Sequence, residues 1–272
     1  MAGGENLGGR GDRPAKRIVL LGASNLTRGI STVIETAWSL CGSPLEVLAA
    51  LGHGRSYGLT SRVLGRELPG IRRFGLWDDL ASRPPAETAA LVTDVGNDLL
   101  YGASVREILG WVRESLDRLT AQQARTVLTL LPLESVRGLS DWRYLLLRTC
   151  TFPRCRARRL DILDAAIELN AGLKQLAVER GVSIVEQRAQ WYGFDPIHIR
   201  LVHWRDAWRE ILAPWSDAPQ SAPAQSCPVR GSMTRWLYLR SLPPLERRLF
   251  GRARRALQPS GRLRDGTTIA LY

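Results

Sequence analysis

Five short apolar runs punctuate the first two-thirds of the chain, at 17–22, 45–50, 88–94, 126–131 and 182–185. Each is nearly continuous rather than alternating, the pattern of a strand buried on both faces of a parallel sheet. Between them, apolar residues recur every three or four positions. One such stretch, 30–40, follows the first run. Another, 105–119, follows the third and puts Ile108, Leu109, Val112, Leu116 and Leu119 on one stripe. A third, 160–179, precedes the fifth run with Ile162, Leu163, Ala166, Leu169, Leu173, Leu176 and Ala177 inward, and Gly181 stands where a helix would stop. A last helix is expected over 204–212. Strands alternating with helices require right-handed crossovers, so the pattern predicts an α/β fold: a three-layer α/β/α sandwich with a five-stranded parallel sheet, flavodoxin-like in type.

The pattern changes near 213. Residues 216–228 are rich in Pro, Ser and Ala and read as a linker. Beyond it, Pro243-Pro244 is placed to open a helix with Leu245, Leu249, Phe250, Ala253, Ala256 and Leu257 inward and arginines outward. The expected organisation is a flexible N-terminal segment (1–14), a catalytic domain (15–215), the linker (216–228) and an Arg-rich C-terminal extension (229–272).

Charge sharpens that division. The net charge is +12, yet residues 229–272 hold ten arginines against two acids and carry +8 of it, while 18–228 carry only +2. The basicity belongs to the tail, which is read as contacting an anionic surface or its own domain; no specific nucleic-acid partner is expected. The four cysteines (Cys41, Cys150, Cys155, Cys227) are too few and scattered for a disulfide framework, and no second ligand pair accompanies Cys150 and Cys155 to hold a metal. No apolar run reaches the ~20 residues that span a bilayer, and the Gly-rich N-terminus has no signal-like apolar core, so the expected location is the cytoplasm.

Candidate chemistry sits where the runs end. The first run ends in Gly22-Ala23-Ser24-Asn25-Leu26-Thr27. A serine at a strand-to-helix turn is exposed at the sheet edge, and its N–H lies at the positive end of the helix; a helix cap from Ser24, Asn25 or Thr27 is the plainer reading. Gly52-His53-Gly54 follows the second run, and a glycine N–H there, from Gly54 or alternatively Gly52, can face a ligand. After the third run comes Gly96-Asn97-Asp98, where the Asn97 amide can donate to an oxyanion while Asp98 caps the next helix. Asp195-Pro196-Ile197-His198 follows the fifth run and spaces an orienting carboxylate three residues from a base. Of the three histidines, His203 reads as structural and His53 as an unpartnered loop residue. Tyr57, Trp191 and Tyr192 are candidates for lining a pocket or, more plainly, for packing.

The order and spacing of these blocks resemble the SGNH (GDSL-type) hydrolase superfamily over roughly residues 15–215, with a departure at Ala23, where that family carries Asp, and Asn25 inserted before Leu26-Thr27. The resemblance implies Ser24 as nucleophile, His198 as base, Asp195 as its partner, and an oxyanion hole of the Ser24 and Gly54 N–H groups and the Asn97 amide. It implies a serine ester hydrolase without metal or organic cofactor, acting on a small-molecule, carbohydrate or lipid ester. Two other readings remain: a catalytically impaired binding protein on the same fold, and a dinucleotide-binding protein using Gly22–Gly29, whose glycines do not match the G-x-G-x-x-G spacing.

Overall fold

A computed structural model describes residues 16–63, 66–73, 75–216 and 232–272. The expectations for 1–14 and, apart from Ser216, for 216–228 fall outside the described residues. The strands are β1 (Lys16–Leu21), β2 (Leu45–Ala50), β3 (Ser61–Val63), β4 (Arg66–Leu68), β5 (Thr88–Val92), β6 (Arg125–Thr129), β7 (Ser183–Val185), β8 (Glu246–Leu249), β9 (Arg252–Arg255), β10 (Gly261–Arg262) and β11 (Thr268–Leu271). The helices are α1 (Ser24–Cys41), α2 (Leu76–Ser82), α3 (Asn97–Leu100), α4 (Val105–Ala121), α5 (Leu133–Arg137), α6 (Asp141–Thr151), α7 (Arg159–Arg180), α8 (Trp204–Leu212) and α9 (Met233–Ser241).

The five apolar runs form β2-β1-β5-β6-β7, contiguous and parallel. Because side chains alternate across a strand, β1 sends Val19 and Leu21 to one face and Ile18 and Leu20 to the other. The first pair packs with Trp77 of α2, Val112 and Leu116 of α4, and Leu169 and Leu173 of α7. The second packs with Leu26 and Ile30 of α1, Trp208 and Ile211 of α8, and Leu239 of α9. Two apolar layers on one sheet are the expected sandwich. The helix stop at Gly181 is also present, with φ +61°.

The sheet has seven strands rather than five. The tail supplies the difference: β11 pairs parallel with β2, Thr268 opposite Glu46, and β10 runs antiparallel outside it. Residues 232–272 therefore do not stand apart from the body at 16–216. Ile269 and Tyr272 are almost fully buried, and the Arg55 guanidinium donates to the Tyr272 carbonyl. The helix expected after Pro243-Pro244 is a hairpin instead. Phe250 and Gly251 both take positive φ (46° and 79°), which makes the two-residue turn joining β8 to β9. Phe250 and Leu257, assigned inward on the helical reading, are exposed. A second antiparallel sheet, β3-β4-β8-β9, results.

Candidate active site

The four sequence blocks all follow the C-terminal ends of strands: Ser24 after β1, Gly54 after β2, Asn97 after β5, and Asp195 and His198 after β7. The chain leaves β1 for β2 on one side and returns to β5 on the other, so the site lies at the point where strand order reverses, the usual crevice of an open α/β sheet.

The His198 Nε2 is 2.8 Å from the Ser24 Oγ, and its Nδ1 is 2.5 Å from the Asp195 Oδ2. Ser24, Asp195 and His198 are thus one hydrogen-bonded chain. Pro196 and the Ile197 N–H, which donates to the Asp195 Oδ1 at 3.1 Å, fix the carboxylate under the imidazole. Burial pushes the Asp195 carboxyl up, but the hydrogen bond and charge of His198, with the Ile197 and His198 N–H groups, outweigh it and hold the acid below its ordinary range. An ionised Asp195 is what orienting an Nδ1–H requires.

Asp94, given no role from the sequence, and Asn25, read there at most as a helix cap, organise this half of the site. Asp94 sits at the end of β5 with φ 60°, a left-handed conformation that Asp tolerates better than most residues. Its Oδ2 accepts from the N–H groups of Ala23 (2.9 Å), Asn25 (3.0 Å) and Leu26 (3.3 Å), and its Oδ1 accepts from the Asn25 amide (2.8 Å). A carboxylate at the start of α1 satisfies donors that no helical carbonyl can reach. The Ser24 N–H is not part of that fan. Asn25 then clasps the histidine loop: its Nδ2 donates to the Ile197 carbonyl at 2.8 Å, and its Oδ1 accepts from the Ile199 N–H at 2.9 Å. His198 is held between those two bonds. Ala23 is α1's N-cap, and neither Ser24 nor Asn25 caps the helix through its side chain. Asn25 thus joins the serine turn to the histidine loop.

A second carboxylate organises the Gly54–Asn97 half. Asp98, expected to cap a helix, is fully buried and instead accepts from the Ser56 hydroxyl and from the Tyr57 N–H at 2.9 Å. Burial lifts its pKa to about 6 even though both hydrogen bonds lower it. The loop is further stitched by Tyr101, whose hydroxyl donates to the Gly54 carbonyl at 2.6 Å, and by the Asn97 amide, 3.4 Å from the Arg55 carbonyl. Gly54 has φ +64°, a conformation that favours glycine. Ser24 and Asn97 line the same cavity; Gly54 is beside Asn97 but is not among the residues lining it.

That cavity, about 130 Å³, runs from Ser24 and His198 beneath α5 and α6. Its walls are largely apolar, including Leu99, Leu131, Val136, Leu139, Phe152, Ile162 and Ala166. Neither α5 nor α6 has a buried residue, and Trp142, Leu145 and Leu146 of α6 are exposed. Helix α6 is tied to the histidine loop by Arg143, which donates to the Gly193 and Phe194 carbonyls and lies over the Phe194 ring. Tyr57, Trp191 and Tyr192 are buried and do not line the cavity, so packing is their role; the Tyr57 hydroxyl bonds the Leu21 and Thr93 carbonyls. Gly29 is spent on packing too: a Cβ there would lie 2.3 Å from the Trp208 Nε1. No group of His, Cys, Asp and Glu among the described residues could hold a metal ion.

No protein-family model matches the sequence, and no curated protein matches it in sequence. Solved structures are. Est24, a carbohydrate acetylesterase from Sinorhizobium meliloti, superposes with a TM-score of 0.50 at 14% identity, over 72% of this chain and 97% of that one. The chain shares the α/β fold of that esterase, as the resemblance to SGNH hydrolases implies. The native aryl esterase from M. smegmatis (TM-score 0.49, 15% identity, 73% and 97% coverage) and the psychrotrophic esterase EstA from Pseudoalteromonas sp. (0.46, 14%, 73% and 97%) are also similar. At such identities the likeness speaks to the fold. No described helix is long and apolar enough to cross a membrane.

Proposed function

We propose that the protein is a serine ester hydrolase that works through an acyl-enzyme. The observation that carries this reading is the continuous Ser24–His198–Asp195 hydrogen-bond chain at the mouth of an apolar cavity. His198 Nε2 takes the Ser24 proton as Oγ attacks the ester carbonyl carbon. The carbonyl oxygen, now negative, is received by the Ser24 and Gly54 N–H groups and the Asn97 amide. As the tetrahedral intermediate collapses, the bond from carbonyl carbon to alkoxy oxygen breaks and His198 returns the proton to the departing alcohol. Water repeats the sequence on the acyl-enzyme: its proton passes to His198, and the acid leaves as Ser24 Oγ is reprotonated. Asp195 keeps the imidazole in the tautomer with Nδ1–H and offsets the imidazolium charge.

The cavity gives the acyl group a place and a size. At about 130 Å³ it is close to the ~150 Å³ apolar cavity that accommodates one benzene ring, so an acyl chain of about six carbons fits and a long one does not. The test is pre-steady-state hydrolysis of 4-nitrophenyl esters from acetyl to decanoyl. The expected result is a stoichiometric burst of nitrophenol with an optimum at intermediate length, absent in Ser24→Ala. Turnover that persists at the wild-type rate in Ser24→Ala overturns the assignment.

A further inference from the structure

Outside the residues that line the apolar cavity, Arg28, Arg66 and Arg240 set three guanidinium groups about His53, and Arg247 stands next to Arg66. Arg28 is one helical turn beyond Ser24 on α1, on the same face. Arg240 of α9 lies 4.6 Å from the ring of Trp236, whose indole N–H donates to the Arg28 carbonyl at 3.0 Å. Arg66 of β4 reaches the loop that carries His53 and Gly54, with its Nη2 3.2 Å from where a Cβ on Gly52 would stand. Arg247 of β8 adds a further positive charge close to Arg66.

What distinguishes these arginines is the absence of acids. Neighbouring cations are paired: Arg235 with Glu35, and Arg62 and Arg248 with Glu67. Arg28, Arg66, Arg240 and Arg247 make no ion pair among the described residues, although Arg28, Arg66 and Arg247 are half-buried. Burial, then Arg247 and Arg240, push the Arg66 pKa down; burial, then Arg240, Arg66, His198 and Arg28, push His53 down. Every charge acting on His53 is positive. Like charges held together and partly out of water are unfavourable unless an anion joins them, and guanidinium forks suit phosphate oxygens in particular.

We propose that this cluster is the leaving-group subsite, and that the substrate is an acyl ester or thioester whose alcohol or thiol portion carries phosphate. This rests on the ester-hydrolase reading: the short acyl chain enters the apolar cavity, and the phosphate lies against Arg28, Arg66 and Arg240 with His53 between it and the oxyanion loop. The tail then has a function in the site, because α9 and β8 deliver Arg240 and Arg247 and β8 pairs with the strand that bears Arg66.

The experiment compares matched pairs: 1-hexanoylglycerol with its 3-phosphate, and hexanoyl-N-acetylcysteamine with hexanoyl-coenzyme A. The expected result is a kcat/KM about tenfold or more higher for the phosphorylated member of at least one pair at low ionic strength, shrinking as salt rises. Which pair shows it separates a glycerol phosphate from a nucleotide-type phosphate. The double variant Arg66→Ala/Arg240→Ala should bring that ratio close to one. Arg264→Ala, in the turn before β11 at the opposite end of the sheet, should keep it. Neutral esters hydrolysed with no preference in either pair overturn this proposal and leave the ester-hydrolase reading standing. Hydrolysis of no ester at all counts against that reading instead. Calorimetric titration of Ser24→Ala with glycerol 3-phosphate then decides the subsite: binding that the double variant abolishes supports it, and no binding at millimolar ligand overturns it.

Discussion

Two carboxylates, four residues apart in sequence, organise the two halves of the site in different ways. Asp94 gathers four donors from the start of α1 and from Asn25, and through Asn25 reaches both sides of His198. Asp98 has the Ser56 hydroxyl and the Tyr57 N–H, in a fully buried position, and its pKa rises to about 6. The first arrangement places reacting groups. The second fixes a loop at an electrostatic cost. The comparison teaches that the half proposed to hold the triad depends on alignment, whereas the half proposed to receive the oxyanion depends on a buried charge that changes with pH.

The sharpest way to break the triad half is Asp195→Asn, which leaves the geometry but presents the wrong tautomer. By analogy with the equivalent change in serine proteases, kcat should fall by about 10⁴, measured by steady-state hydrolysis of a hexanoyl ester. On the other side, Asn97→Ala removes one oxyanion donor and should lower kcat by about 10²–10³ with little change in KM. Asp94→Asn keeps shape but loses the charge that receives three N–H groups. A loss of about 1.5–3 kcal/mol in those bonds corresponds to about a tenfold to hundredfold fall in kcat, together with a lowered Tm. Ala166→Phe, which fills the cavity floor without touching either carboxylate, should shift the acyl optimum toward acetyl in the same assay.

The last test is on stability rather than rate, and it isolates Asp98. A folded-state pKa near 6 against about 3.9 unfolded means that the native protein binds more protons between those values. Asp98 therefore favours folding least above pH 6, and its contribution improves as pH falls toward 4. Asp98→Asn removes that dependence, so urea denaturation should show the variant gaining on wild type between pH 4 and pH 7.5, by up to roughly 3 kcal/mol. A gap that stays constant with pH would mean that Asp98 is not the buried charge described.

Much of this was legible in the chain. Continuous apolar runs mark β1, β2, β5, β6 and β7 because both faces of each are buried, and the chemistry-bearing blocks follow strand ends, where loops collect. Asp94 and Asn25 were harder. Their function depends on hydrogen bonds to partners about 70 and 172 residues away, and no local pattern encodes that. Helix α6 lacks a buried stripe because it roofs a cavity instead of packing on the sheet, so hydrophobic periodicity had nothing to register. In the tail, the apolar spacing of 245–257 fits a helix on paper, but Phe250-Gly251 takes a tight turn and β8 finds β4, a non-local pairing that outweighs the local pattern.

The most direct test of the central claim is covalent labelling. An alkyl fluorophosphonate should modify wild-type protein at one site, located by peptide mass spectrometry on Ser24. His198→Ala should react far more slowly, and Ser24→Ala should not react. An adduct on another residue, or equal labelling of wild type and Ser24→Ala, would contradict the account.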